Sequence, residues 1–208
     1  MVDAGSCIIG RKKLKKYLAC AVVMAGLASS PALAATTQYT NQATFLAGLT
    51  SVAVEDFNDG FVNAPFTVSS TVGTVGGGLW NDRLTPSGAT TTWSFASAVN
   101  GFGGLWDLAG PGEQGTGIAF TMTLIGNLGQ QLVSFEVPRT TAGTFFGLIS
   151  DVSFTSVLLT AGTQPGFAET YSLDSLTTGV SPVPLPAGFG LLALALGGLG
   201  ALRRKRQA

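Results

Sequence analysis

The sequence predicts an all-β body, an antiparallel β-sandwich of jelly-roll type with one short N-terminal helix. A cleaved signal helix precedes it, and a single C-terminal transmembrane helix follows. Three observations lead there. Between the two ends, Gly, Thr, Ser, Val and Phe dominate and strong helix formers are few. Short runs of alternating or continuous apolar character recur, separated by Gly- and Pro-bearing breaks, the pattern of strands joined by turns. Each end of the chain pairs an uncharged apolar run with a basic cluster, as membrane-directed segments do.

The helix comes first. Thr40 is placed to cap it, and Ala43, Leu46 and Ala47 share a face before Gly48 and Thr50 end it. Strands are expected at 52–57, 66–72, 91–96, 103–108, 117–125, 131–137, 144–149, 153–160 and 169–176. Asn58-Asp59-Gly60, Gly76-Gly77-Gly78, Pro86-Ser87-Gly88, Gly110-Pro111-Gly112 and Gln164-Pro165-Gly166 break them. Alternation is strict over 118–124 and 152–157, so one side of those strands faces a core and the other faces water. Gly103 and Gly104, beside Trp106, point to a bulge or a close backbone approach. No internal repeat is found, and residues 177–182 read as a linker.

At the N-terminus, Arg11, Lys12, Lys13, Lys15 and Lys16 precede an apolar stretch over 17–27, and Ala32-Leu33-Ala34 follows as a small-x-small site. Cleavage is expected between Ala34 and Ala35, making residues 1–34 a signal peptide. A lipoprotein reading at Cys20 fits poorly, because the hydrophobic stretch follows that cysteine. The ten residues before Arg11 add nothing a signal peptide needs. At the other end, residues 185–202 carry no charge and rise about 27 Å as a helix, near the ~30 Å hydrocarbon thickness of a bilayer. Arg203, Arg204, Lys205 and Arg206 then hold that end on the cytoplasmic side. The exported domain is set at 35–178, with linker and tail over 179–208.

The tail Val183-Pro184-Leu185-Pro186-Ala187, its apolar run and its basic cluster resemble the PEP-CTERM sorting signal of Gram-negative bacteria, in its VPLPA form. The stretches 144–151, 154–157 and 169–174 resemble a phrase frequent in such proteins: a strand ending in G-F-I-S-D, then F-x-x-V, then E-T-Y/F-x-L-D. Leu148 stands where that phrase has Phe. The resemblance implies export through the inner membrane, recognition by an exosortase and display on the cell surface or in the extracellular matrix. It implies no activity.

Charge and composition narrow the chemistry. Between Ala35 and Leu202 stand two basic residues, Arg83 and Arg139, against ten acidic ones, a net charge of −8. Nucleic acid and anionic lipid surfaces are poor partners for such a body, since phosphate binding needs clustered Lys and Arg. Both cysteines, Cys7 and Cys20, fall in the leader, and this body has no histidine or lysine. Ser-His-Asp and Cys-His catalysis, Schiff-base chemistry and the usual zinc sites are thereby excluded. The surviving catalytic option is a carboxylate pair, as in glycoside hydrolysis.

Carboxylates also offer hard oxygen ligands. Glu55, Asp56 and Asp59 end the first core strand, and Glu169 and Asp174 lie in the last strand, so a structural calcium is an expected cofactor. The body resembles carbohydrate-binding and galactose-binding-like jelly rolls. That resemblance implies that acids of the first and last strands share such an ion. Of the three tryptophans, Trp93 alternates with Phe95 and reads as core. Trp80 follows three glycines and is the candidate for stacking on a sugar.

Two function classes remain. One is a non-catalytic structural, adhesive or carbohydrate-binding surface module, sorted by an exosortase and partnered by exopolysaccharide. The other is a carboxylate-dependent carbohydrate-active enzyme.

Overall fold

The computed structural model describes residues 34–108, 115–126 and 128–182. The sorting motif, the expected membrane span, the basic tail and residues 1–33, Ala32 among them, lie outside these. Among the described residues no helix is long and apolar enough to cross a membrane.

The described chain is almost wholly antiparallel β-structure. Its strands are β1 (Thr36–Tyr39), β2 (Ser51–Glu55), β3 (Phe66–Ser70), β4 (Thr74–Gly76), β5 (Leu79–Leu84), β6 (Thr91–Asp107), β7 (Ile118–Leu124), β8 (Gln130–Val137), β9 (Thr144–Ala161) and β10 (Glu169–Val180), with one helix, α1 (Gln42–Ala47). They join in one sheet of order β4-β5-β10-β6-β9-β7-β8, with β1 on β9, β2 on β10 and β3 on β6.

Two long strands carry this sheet around the core. The pairs expected at 91–96 and 103–108, and at 144–149 and 153–160, are continuous strands, β6 and β9. Their mutual register shifts between Ser94 and Gly101, where β6 turns a corner. Before the corner β6 pairs with β3; beyond it, with β10. The two halves face each other like sandwich layers: Phe120 of β7 stacks on Phe146 of β9 at 5.9 Å, and Trp93 meets Trp80 at 5.3 Å. Trp93, Trp106, Phe102, Phe120, Phe154 and Tyr171 are almost fully buried between them. The alternation read over 152–157 breaks at Thr155, because Leu124 pairs with Phe154 and Thr123 with Ser156, leaving one extra residue in β9.

The opposite face of β6 and β9 is covered as well. Gly103 lies opposite Gly147, and a Cβ there would stand 2.9 Å from both the Gly147 Cα and the Phe145 ring. Glycine flattens the sheet so that Phe145 can lie across it, which confirms the close approach expected at that position. Phe145 then packs on Phe45 of α1 at 5.1 Å. The buried residue of this helix is Phe45, whereas Ala43 and Ala47 are exposed. Asn41, not Thr40, is the N-cap: its side chain accepts the Thr44 N–H at 3.0 Å.

The expected linker at 177–182 is partly strand. Thr177 and Thr178 are buried, and β10 pairs with β2 through Val180 opposite Ser51. A boundary at residue 178 cuts this strand, so the folded body extends at least to Val180.

Candidate functional site

The outward side of the half built from β3, β6, β9, β7 and β8 presents two rows of uncharged residues. Thr67, Ser94, Ser156, Thr123 and Gln130 stand opposite one another across the five strands. Ser69, Thr92, Leu158, Thr121 and Leu132 form the next row. Four steps of about 4.8 Å make each row roughly 19 Å wide. Neither row holds a charged side chain. The hydroxyls point outward because strand alternation sends Phe66, Trp93, Val157 and Met122 into the core. Sequence reading registers abundant Thr and Ser but not this array, since strand pairing decides which hydroxyls become neighbours.

The carboxylates proposed as calcium ligands do not converge. The expected neighbourhood of first and last core strands is real, with Glu55 of β2 opposite Leu176 of β10. Glu169, however, is seven residues from Leu176, about 23 Å along the strand, and sits opposite Leu84. Glu55 is buried and already accepts two backbone N–H groups, Phe57 at 2.9 Å and Asn63 at 2.6 Å. It shapes the loop that follows β2. Asp56 accepts the Asn58 N–H, which holds its pKa below the ordinary value, and Asp59 accepts the Phe61 N–H. Asp174 accepts the Ser175 N–H. Among the described residues no group of three or more His, Cys, Asp or Glu is placed to hold a metal ion.

Trp80 is core. It occupies β5, is 4 % exposed and donates from Nε1 to the Tyr171 hydroxyl at 3.4 Å. Gly77 and Gly78, both at positive φ, make the two-residue turn of the β4–β5 hairpin. The glycines therefore place Trp80 on a strand rather than in an open loop, and no sugar can stack on it there.

Around Trp80 lies a polar cluster that sequence reading missed. Asp82 is buried; its Oδ2 accepts from Ser70 Oγ at 2.7 Å and from Thr91 Oγ1, and lies 3.5 Å from the Tyr171 hydroxyl. Its Oδ1 accepts the Arg83 N–H at 2.7 Å. Burial, reinforced by the Asp82 charge, pushes the Tyr171 phenol far above its ordinary range, so it stays protonated. The alternating burial of β5 is the signal that would have turned Asp82 inward.

Glu169 is a second buried acid, 1 % exposed and accepting the Gly117 N–H at 2.6 Å. Burial raises its pKa, and the backbone N–H groups of Gly117 and Thr116 oppose that rise. A carboxyl whose folded-state pKa is raised contributes stability that is full below the unfolded pKa and is lost as pH climbs through the folded one. The urea midpoint of Glu169→Gln is therefore expected to gain on wild type as pH rises from about 4 to 7. A difference between the two that stays flat over this range would overturn that assignment.

No protein-family model matches the chain, and no curated protein matches it. Among solved structures, a mutant of a family 29 carbohydrate-binding module shares 9 % identity at a TM-score of 0.46, covering 66 % of this chain and 99 % of that one. The Clostridium perfringens module CpGH89CBM32-5, in complex with GalNAc-β-1,3-galactose, shares 15 % at 0.36, covering 53 % and 95 %. The family 32 module of Clostridium perfringens NanJ, in complex with galactose, shares 14 % at 0.36, covering 59 % and 98 %.

Proposed function

We propose that this chain is an exported, non-catalytic jelly-roll module that an exosortase sorts through its VPLP tail to the cell surface. There it binds neutral carbohydrate polymer as a structural or adhesive component. The observation that carries this reading is the uncharged face across five strands, whose hydroxyls come from β3, β6, β9 and β7. Ser and Thr hydroxyls both donate and accept hydrogen bonds, as sugar hydroxyls do, and a broad, level array suits an extended polymer.

Other observations support the non-catalytic part. The body lacks His, Cys and Lys. Its buried carboxylates hold the fold: Glu55 a loop, Asp82 a hydroxyl cluster, and Glu169 the Gly117 amide. The tail motif, the leader and the anionic, cysteine-free body support export.

Sedimentation with insoluble neutral polysaccharides tests the binding. Wild type is expected to co-sediment, and Ser94→Asp with Thr123→Asp, which place charge in the middle of the face, to lose most of that binding while keeping the wild-type circular dichroism. Equal retention by the variant removes the hydroxyl face as the binding surface. Mass spectrometry of the surface-extracted protein tests the sorting: an N-terminus at Ala35 and loss of the tail are expected, and an intact end at Ala208 argues against processing.

A further inference from the structure

Gly179, Gly101, Ile149 and Thr37 stand in one row across β10, β6, β9 and β1. Neighbouring strands are antiparallel, so β10 ends and β1 begins at the same end of the sheet. Three inter-strand steps of about 4.8 Å separate the two exits by roughly 14 Å. Both membrane-directed segments of the sequence therefore leave the body side by side.

That end is also apolar. Val52, opposite Gly179, and Val180 are 44 % and 40 % exposed. Ile125 and Leu128, on the β7–β8 turn, are 44 % and 50 % exposed. This turn is fastened to the same end: the Ile125 N–H donates to the Ser153 carbonyl, and the Gln131 side chain donates to the Ala34 carbonyl. A groove of about 200 Å³ opens between Val52, Pro65, Phe95, Val99 and Val180. One charged residue, Asp151, belongs to this end, while Asp107, Glu136, Arg139 and Glu169 belong to the other.

Four residues, 181–184, separate Val180 from the apolar run that begins at Leu185. Fully extended, they hold Val180 within about 17 Å of that run, so a less extended path brings it to the headgroup layer, about 5–7 Å deep on each side. We propose that this end of the body docks on the outer surface of the bilayer that anchors it, with Val52, Val180, Ile125 and Leu128 in the headgroup layer. The proposal rests on the membrane-anchored reading above. Docking would stand the strands away from the membrane and hold the hydroxyl face sideways until the tail is removed.

The test uses the full chain, made in a host without exosortase so that the tail is kept, with Cys7→Ser and Cys20→Ser. Single Val52→Cys, Leu128→Cys and Ser87→Cys variants carry an environment-sensitive fluorophore; Ser87 is exposed in the turn after β5, at the opposite end. In zwitterionic phosphatidylethanolamine–phosphatidylcholine vesicles bearing a headgroup spin label, quenching at 52 and 128 is expected to exceed that at 87 several-fold. If the chain floats with the vesicles but the three positions quench alike, docking is overturned and the anchor stands. Probes at 52 and 128 shielded from an aqueous quencher yet untouched by lipid spins would indicate a protein partner and overturn the lipid surface. A chain that does not float with the vesicles overturns the anchor and the docking together.

Discussion

Replacing Trp106 by alanine is expected to cost about 4 kcal/mol of stability and to lower the melting temperature by about 8–16 °C. Trp106 is fully buried and meets Phe102, Phe120 and Tyr171 at ring-centroid distances of 6.2, 5.8 and 5.8 Å. Those partners come from both facing halves of the sheet, so the ring fills the gap between them. Its Nε1 also donates to the Phe146 carbonyl at 2.9 Å. Alanine would leave a cavity and a buried carbonyl short of a donor. Trp93 supplies the control: it is as deeply buried, yet its Nε1 has no partner. Trp93→Phe should therefore cost less than Trp106→Phe in urea denaturation. If the two phenylalanine variants are equally destabilised, the hydrogen bond contributes nothing.

Asp82→Ala is expected to destabilise by about 3 kcal/mol, because it orphans several buried donors at once. The Thr91 and Ser70 hydroxyls lose their acceptor, and Tyr171 loses a neighbour in the same pocket. Asp82→Asn, which keeps an acceptor in place, should cost less. The cluster also ties stability to alkaline pH. The raised pKa of Tyr171 means that the unfolded chain gives up this proton first, so this contribution is whole below about pH 10 and falls above it. Tyr171→Phe should remove that part of the decline, as read from melting temperatures between pH 8 and 11. A carboxylate kept for binding or catalysis would behave in the opposite way, since removing it commonly stabilises a protein. A rise in melting temperature for Asp82→Ala would thus return Asp82 to the candidate functional residues.

Strand content was readable from the chain because alternation is a local signal. Of the nine expected strands, 66–72, 117–125 and 131–137 match β3, β7 and β8 within two residues. What escaped was set at a distance. Nothing at 96–99 or 151–152 marks β6 and β9 as continuous, since the corner is made by bulges and not by glycine or proline. Asp151, between two of the expected strands, is mid-strand and donates its N–H to the Ala35 carbonyl. The four residues of β1 have no apolar alternation and become a strand by pairing with β9. The glycine run at 76–78 was legible as a break, but not as the two-residue turn, Gly77-Gly78, that puts Trp80 on a strand. Carboxylates at the ends of first and last strands suggested an ion, yet Glu169 lies seven residues along β10 from Leu176, the partner of Glu55. The hydroxyl face followed the same logic: its composition was visible, its geometry was not.

The central place of β10 has a consequence for biogenesis. It is the last strand made, yet β5 and β2 reach the rest of the sheet through it, and β4 hangs on β5. The N-terminal third of the domain can complete its pairing only after residue 180 has been made. Closure of the fold therefore waits for the last described strand, which keeps β2, β4 and β5 from sealing the sheet early.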